Sequence, residues 1–188
     1  MPLTGIAVML PLALMTVQTG APVFSADAEP PAGKLEIGDA KVELRDAPTP
    51  TAEVIATATR ESAGDVSLVR VRVVTRTAGR MRAKGDGTTL AGLDFGLATY
   101  IPARRPDTKA PYVEIVLQPG QEIGLLQEAA GACFVSIGGR VIEADPCPAD
   151  DARFVVEARP RVEWWGFLRL SDGRSGWTLI ARHGPAPE

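Results

Sequence analysis

Apolar and polar residues alternate along most of this chain with the period of two that belongs to strands. The cleanest run is Val66 to Arg76, where Val69, Val71 and Val73 point one way and Arg70, Arg72, Val74 and Arg76 the other. Trp165 to Leu170 alternates too: Leu168 and Leu170 share one face, and Trp165, Phe167 and Arg169 the other. Ser171-Asp172-Gly173-Arg174 follows as turn chemistry, because Gly tolerates φ > 0 and Asp hydrogen-bonds its own backbone. Trp177 to Ile180 then returns as the second strand of a hairpin. A second hairpin is predicted where Gly138-Gly139 separates Cys133–Ile137 from Arg140–Ala144. Pairing Ile137 with Arg140, Val135 with Ile142 and Cys133 with Ala144 keeps Cys133, Val135, Ile137, Ile142 and Ala144 on one face.

Shorter runs fill the rest. Val42 to Pro48 and Glu53 to Ala56 read as strand, Pro-stiffened loop and strand. Tyr112 to Leu117, Glu122 to Gln127 and Phe154 to Val156 are strands, Leu90 to Thr99 is strand or loop, and Pro148 to Ala152 starts a short helix. Ala78-Gly79 interrupts the pattern after Arg76. Three prolines between Ile101 and Pro111 mark a linker or exposed loop. Structure is expected to begin near Leu35, after a Pro-rich lead-in from Glu29 to Gly33, and the tail from Gly184 to Glu188 is disordered by composition.

Composition agrees with an all-β chain. Among 188 residues, sixteen prolines and nineteen glycines argue for many turns, and 45% hydrophobic residues suffice for a packed core. The net charge of −3 disfavours a nucleic-acid partner. Arg76, Arg80, Arg82 and Lys84 form a local basic cluster, better explained by the solvated face of a hairpin than by an anionic ligand. Ile6 to Val17 is an apolar run of leader length, with no charged side chain before Asp27. Ala26-Asp27-Ala28 supplies a small-x-small pattern for cleavage after Ala28. An uncleaved anchor is the alternative, opposed by Pro11 and by the shortness of the run against the about 20 residues of a span. Residues 1–28 are therefore read as a signal peptide, the mature chain as periplasmic or secreted, without a stable membrane span. In that setting Cys133 and Cys147 favour a disulfide. Reduced buried thiols, or a nucleophilic Cys working with His183, are the alternatives.

Two stretches resemble bacterial SH3-like (SH3b) domains. The opening of that family is a strand ending in Arg, a small-residue turn with Pro, and a Val-Ile strand; Arg45, Pro48, Val54 and Ile55 match it. Its close is a Trp, a short apolar strand, an Asp-Gly turn and Gly-Trp; Trp165, Leu168 to Leu170, Asp172-Gly173 and Gly176-Trp177 match that. Between them, Leu117 to Val141 is similar to the family's middle, but Ala132-Cys133 stands where a Trp is expected. The resemblance implies one or more small SH3-like barrels. The two matches lie too far apart for one such domain, so either one barrel carries a large insertion or two stand in tandem. The tandem reading divides the chain into 35–101, a linker at 102–111, and 112–182.

Chemistry for catalysis is sparse. Gly-x-Ser-x-Gly and phosphate-loop motifs are absent, and one His and two Cys cannot make a zinc site. The expectation is a non-enzyme without metal or cofactor. The SH3b resemblance implies recognition of a cell-wall peptide or peptidoglycan, or support of a cell-wall enzyme. Adjacent Trp164 and Trp165 point to opposite faces of a strand, so one reaches outward as a platform beside Arg169 or Arg174. The candidate ligand set is Trp164, Trp165, Arg169, Asp172, Arg174 and Trp177, with tryptophans that merely fill a core as the alternative. A second reading is an envelope assembly or inhibitor protein that pairs with a protein partner through a strand edge such as Val66 to Arg76.

Overall fold

The computed structural model describes residues 23–28, 41–59, 66–103, 110–128 and 131–183. The lead-in at 29–33, the expected start near Leu35 and the tail at 184–188 lie outside them, as do residues 1–22 of the expected leader. The described residues are all-β. Fourteen strands follow in order: β1 Phe24–Ala28, β2 Val42–Arg45, β3 Val54–Ala58, β4 Val66–Thr77, β5 Gly79–Ala83, β6 Thr89–Asp94, β7 Tyr100–Ile101, β8 Tyr112–Val116, β9 Glu122–Glu128, β10 Cys133–Ile137, β11 Arg140–Ala144, β12 Phe154–Ala158, β13 Arg161–Leu170 and β14 Ser175–His183. The short helix expected at Pro148 is a single 3-10 turn, Pro148–Asp150.

The strands make two seven-stranded sheets. Sheet A has the order β3-β2-β14-β13-β4-β1-β7, and sheet B the order β12-β5-β9-β10-β11-β6-β8. The expected division at 102–111 does not follow the sheets. Each sheet takes strands from both sides of that segment, and sheet B is built from the chain between Gly79 and Ala158. The Ala78-Gly79 interruption is where the chain leaves one sheet for the other. A Cβ at Gly79 would lie 2.4 Å from the Ala158 carbonyl oxygen, so the crossing passes only if residue 79 has no side chain. Strand β2 pairs with β3 and β14, so the opening stretch meets the closing hairpin.

Both predicted hairpins form, and the one at Gly138-Gly139 has its expected register. Ile137 faces Arg140, Val135 faces Ile142 and Cys133 faces Ala144. Gly138 and Gly139 have φ of 56° and 81°, the positive values a two-residue turn demands. In the final hairpin Gly173 has φ 88°, and Asp172 Oδ1 accepts the Arg174 N–H at 3.0 Å. The faces of Trp165–Leu170 also hold: Leu168 and Leu170 pack with Leu44, Ala58 and Val66, whereas Trp165 packs with Val74 and Trp177. Strand β4 is no edge. It pairs with β13 along its length and with β1 over Val71 to Thr75. The basic cluster beyond it is paired off at the surface: Arg80 and Arg82 reach Glu157, and Lys84 Nζ donates to the Ala152 carbonyl at 2.7 Å.

Sheet B curls around one core, drawing Phe154 from β12 at one edge and Val113 and Ile115 from β8 at the other. The two sheets join through Phe24, Ala26 and Ile101 of sheet A against Leu126 and Val141 of sheet B. Two buried bonds stitch this seam: Thr75 Oγ1 donates to the Leu126 carbonyl at 2.8 Å, and Gln127 Nε2 to the Val73 carbonyl at 2.9 Å.

Cys133 and Cys147 form a disulfide inside the sheet B core, with Cα atoms 5.1 Å apart. The loop it closes is short, and the chain-entropy model gives it about 3 kcal/mol. Cys133→Ser with Cys147→Ser is expected to cost at least that, since two hydroxyls then sit at buried positions. Urea unfolding checks it. A double variant as stable as the native chain would show the bond to be dispensable.

Candidate binding face of sheet A

Register brings one set of side chains to one face of sheet A in three rungs. The first is Arg45, Trp177, Phe167 and Arg70, from β2, β14, β13 and β4. The second is Leu179, Trp165, Arg72 and Asp27, which continues onto β1. The third is Arg182, Glu163, Val74 and Ser25, ending on Tyr100 of β7. Tryptophans thus sit at the centre, ringed by arginines and acids.

Guanidinium groups cover the Trp177 indole. Arg72 Cζ lies 4.2 Å from the Tyr100 ring centroid and 5.1 Å from that of Trp177, so its cation stands against two rings. Arg72 Nε donates to Asp27 Oδ1 at 2.8 Å, and the Tyr100 hydroxyl donates to Asp27 Oδ2 at 2.7 Å. Burial, and after it the bond to Asp27, raise the Tyr100 hydroxyl above its ordinary pKa, which keeps it a donor. Arg45 Nη1 donates to the carbonyls of Pro50 (2.9 Å) and Ala52 (2.7 Å), and Arg76 Nη2 to that of Pro48 (3.4 Å). The loop between β2 and β3 is therefore tied down beside the indoles.

Glu163 is a second buried charge of this face, beside Asp27. Its carboxylate takes Arg76 at 2.7 Å, Trp165 Nε1 at 3.1 Å and Arg182 Nε at 3.4 Å. Burial pushes its pKa up, but the bonds from Arg76 and Trp165, the charge of Arg76 and the bond from Arg182 outweigh it. The carboxyl is held below its ordinary value. Next to this group, between β2 and β14, opens a cleft of about 350 Å³ lined by Lys41, Glu43, Arg45, Trp165, Leu179 and Arg182 among others. It exists because β2 and β14 pair at one position, Trp177 with Arg45, and no further.

The six residues expected to bind ligand are not gathered into one surface. Trp165 and Trp177 share the buried cluster, and Trp165 forms a wall of the cleft. Trp164 lies half-buried on the opposite side of the strand, edge-on to His183 at 6.3 Å. Arg169 is exposed. Asp172 and Arg174 are bound to each other at the hairpin tip (2.6 Å), and Arg174 Nη1 donates to the Thr57 carbonyl at 2.7 Å. Lys41, Glu163, Arg182, Asp27 and Tyr100 were outside the expected set. Alternation marks which side of its own strand each occupies, but not which strands lie beside it.

No family model matches the chain, and neither the curated proteins nor the solved structures contain a match to it. Among the described residues no helix is long and apolar enough to cross a membrane.

Proposed function

We propose that this chain is an exported, non-catalytic binding module that holds a peptide-type ligand bearing free carboxylates, of the kind peptidoglycan peptides present. The observation that carries the reading is the cleft between β2 and β14. Lys41, Arg45 and Arg182 line it, and the buried Trp165 backs it. Cations at the rim steer and orient an anionic peptide, and the packed indole behind them keeps the cleft's shape. Arg45 is engaged with Glu43 at 2.5 Å and Arg182 partly with Glu163, which leaves Lys41 and the outer side of Arg182 to meet ligand. Two further facts support the reading. The stretches that resemble the opening and close of an SH3b domain lie side by side as β3-β2-β14-β13. The two cysteines are joined, as suits an oxidising compartment.

The test is retention on purified cell-wall sacculi at low and high salt. Retention is expected at low salt and falls at high salt, as screening weakens the rim charges. Lys41→Glu combined with Arg182→Gln is expected to reduce it about tenfold or more, with circular dichroism confirming the fold. No retention by the native protein would sink the peptidoglycan assignment. Retention unmoved by the double variant would sink the cleft.

A further inference from the structure

Sheet A contains a strand that leader cleavage after Ala28 would take away. β1 lies inside the sheet, antiparallel to β4 and parallel to β7. Its backbone is stitched on both sides: Val23 N donates to the Thr75 carbonyl and Ser25 N to the Thr99 carbonyl, both at 2.9 Å. Phe24 and Ala26 face inward among Ile101, Leu126 and Val141, and the Phe24 ring meets Phe134 at 5.2 Å between centroids. Asp27 faces outward, its side chain 6% exposed, and binds both Arg72 and Tyr100. The small-x-small pattern Ala26-Asp27-Ala28 stands at the end of this strand.

Removal of the chain up to Ala28 would leave a slot. It lies between the backbone edge of β4, over Val71 to Thr75, and the two residues of β7, which among the described strands pair with β1 alone. Its floor is Ile101, Leu126, Val141 and Phe134. At its rim, Arg72 and Tyr100 lose their carboxylate. Unpaired strand edges and an apolar socket are both unfavourable in water, and one extended peptide answers both.

We propose that the slot between β4 and β7 is a strand-acceptor site, filled in cis by Phe24–Ala28 and, once these residues are cleaved away, by an extended segment of a partner protein. The partner strand carries an aromatic residue, a small residue two positions on, and a carboxylate directly after it. Each requirement follows from an occupant now seated: Phe24 in its aromatic socket, Ala26 opposite Val73, and Asp27 on Arg72 and Tyr100. The site shares only the export of the chain with the functional reading above. It is separate from the cleft between β2 and β14, so either assignment can fail without the other.

The protein exported by a bacterial host is purified, its N-terminus read by intact mass, and a fluorescently labelled peptide spanning Ala21 to Pro31 titrated against it by anisotropy. Expected are an N-terminus at Glu29 and saturable binding. Peptide variants Phe24→Ala and Asp27→Lys should each bind about tenfold more weakly or worse, since each removes a buried apolar group or a charge-assisted bond. An N-terminus upstream of Phe24 would overturn the proposal, because the slot would never open. Folded, processed protein that ignores the peptide would overturn it too. A second measurement covers poor folding of the processed chain. The full chain, with a protease site inserted after Pro31, is folded first and then cut. Excess labelled peptide should displace the severed β1, seen as release of that segment by mass. Retention of the severed strand in a still-folded protein would overturn the proposal.

Discussion

Trp165→Ala is expected to destabilise the protein by about 4 kcal/mol, a large share of the stability of a domain this size. The indole is 1% exposed between Val74 and Trp177, so truncation opens a cavity at the centre of sheet A. It also takes from Glu163 one of the donors that hold its buried charge. Urea unfolding would read the loss as a lower midpoint at unchanged slope. Trp164→Ala is the natural comparison. That ring is half-buried and touches His183 edge-on, so its removal should cost well under half as much. Equal costs for the two substitutions would show that the strand does not divide its tryptophans between interior and rim.

Glu163→Ala should cost about 3 kcal/mol, because Arg76, mostly buried itself, keeps its charge and loses this carboxylate. The pH dependence carries a sign that follows from the bonds. The folded protein holds the Glu163 carboxyl below its ordinary pKa, so at low pH the unfolded chain binds the proton more readily. The stabilisation is therefore complete above the ordinary glutamate range, near about 4.3. It fades as the pH falls through the folded-state value. Glu163→Gln should flatten this acid limb while lowering stability at neutral pH. Asp151 and Asp172 are also held low, by bonds from Arg153 and from Arg174, but Asp172 is exposed and Asp151 partly so, and both add little. The difference between the native and Glu163→Gln curves isolates the buried group. A flat difference from neutral pH to the acid limb would show that Glu163 is not ionised inside the fold.

Much of the local structure was legible in the residues. Period-two alternation located β4, β10, β11 and β13, because one face of each must be apolar where it packs. Gly138-Gly139 set a hairpin register and Asp172-Gly173 marked a second hairpin's turn, because glycine supplies the positive φ such turns need. Two cysteines in a chain read as exported favoured the Cys133–Cys147 disulfide that the fold contains. β1 was not legible as a strand. Its five residues carry the small-x-small pattern of a cleavage site, and nothing local says that β4 and β7 would close around them.

Sequence by itself determined the elements, their turns and the side of each strand a residue occupies, since these depend on contacts a few residues apart. Tertiary structure decided which strands became neighbours. That choice rests on non-local pairing, and several orders satisfy the same alternation equally well. It placed the opening stretch beside the closing hairpin and built the second sheet from the chain between Gly79 and Ala158, whose β7 alone returns to the first. It turned four arginines of three strands, Arg45 of β2, Arg70 and Arg72 of β4 and Arg182 of β14, onto the face that holds two tryptophans and Glu163. Alternation alone sent Trp164 and Trp165 to opposite faces of their strand. The fold made Trp165 the core residue and Trp164 the rim residue, because Val74 and Trp177 pack on the Trp165 side of β13.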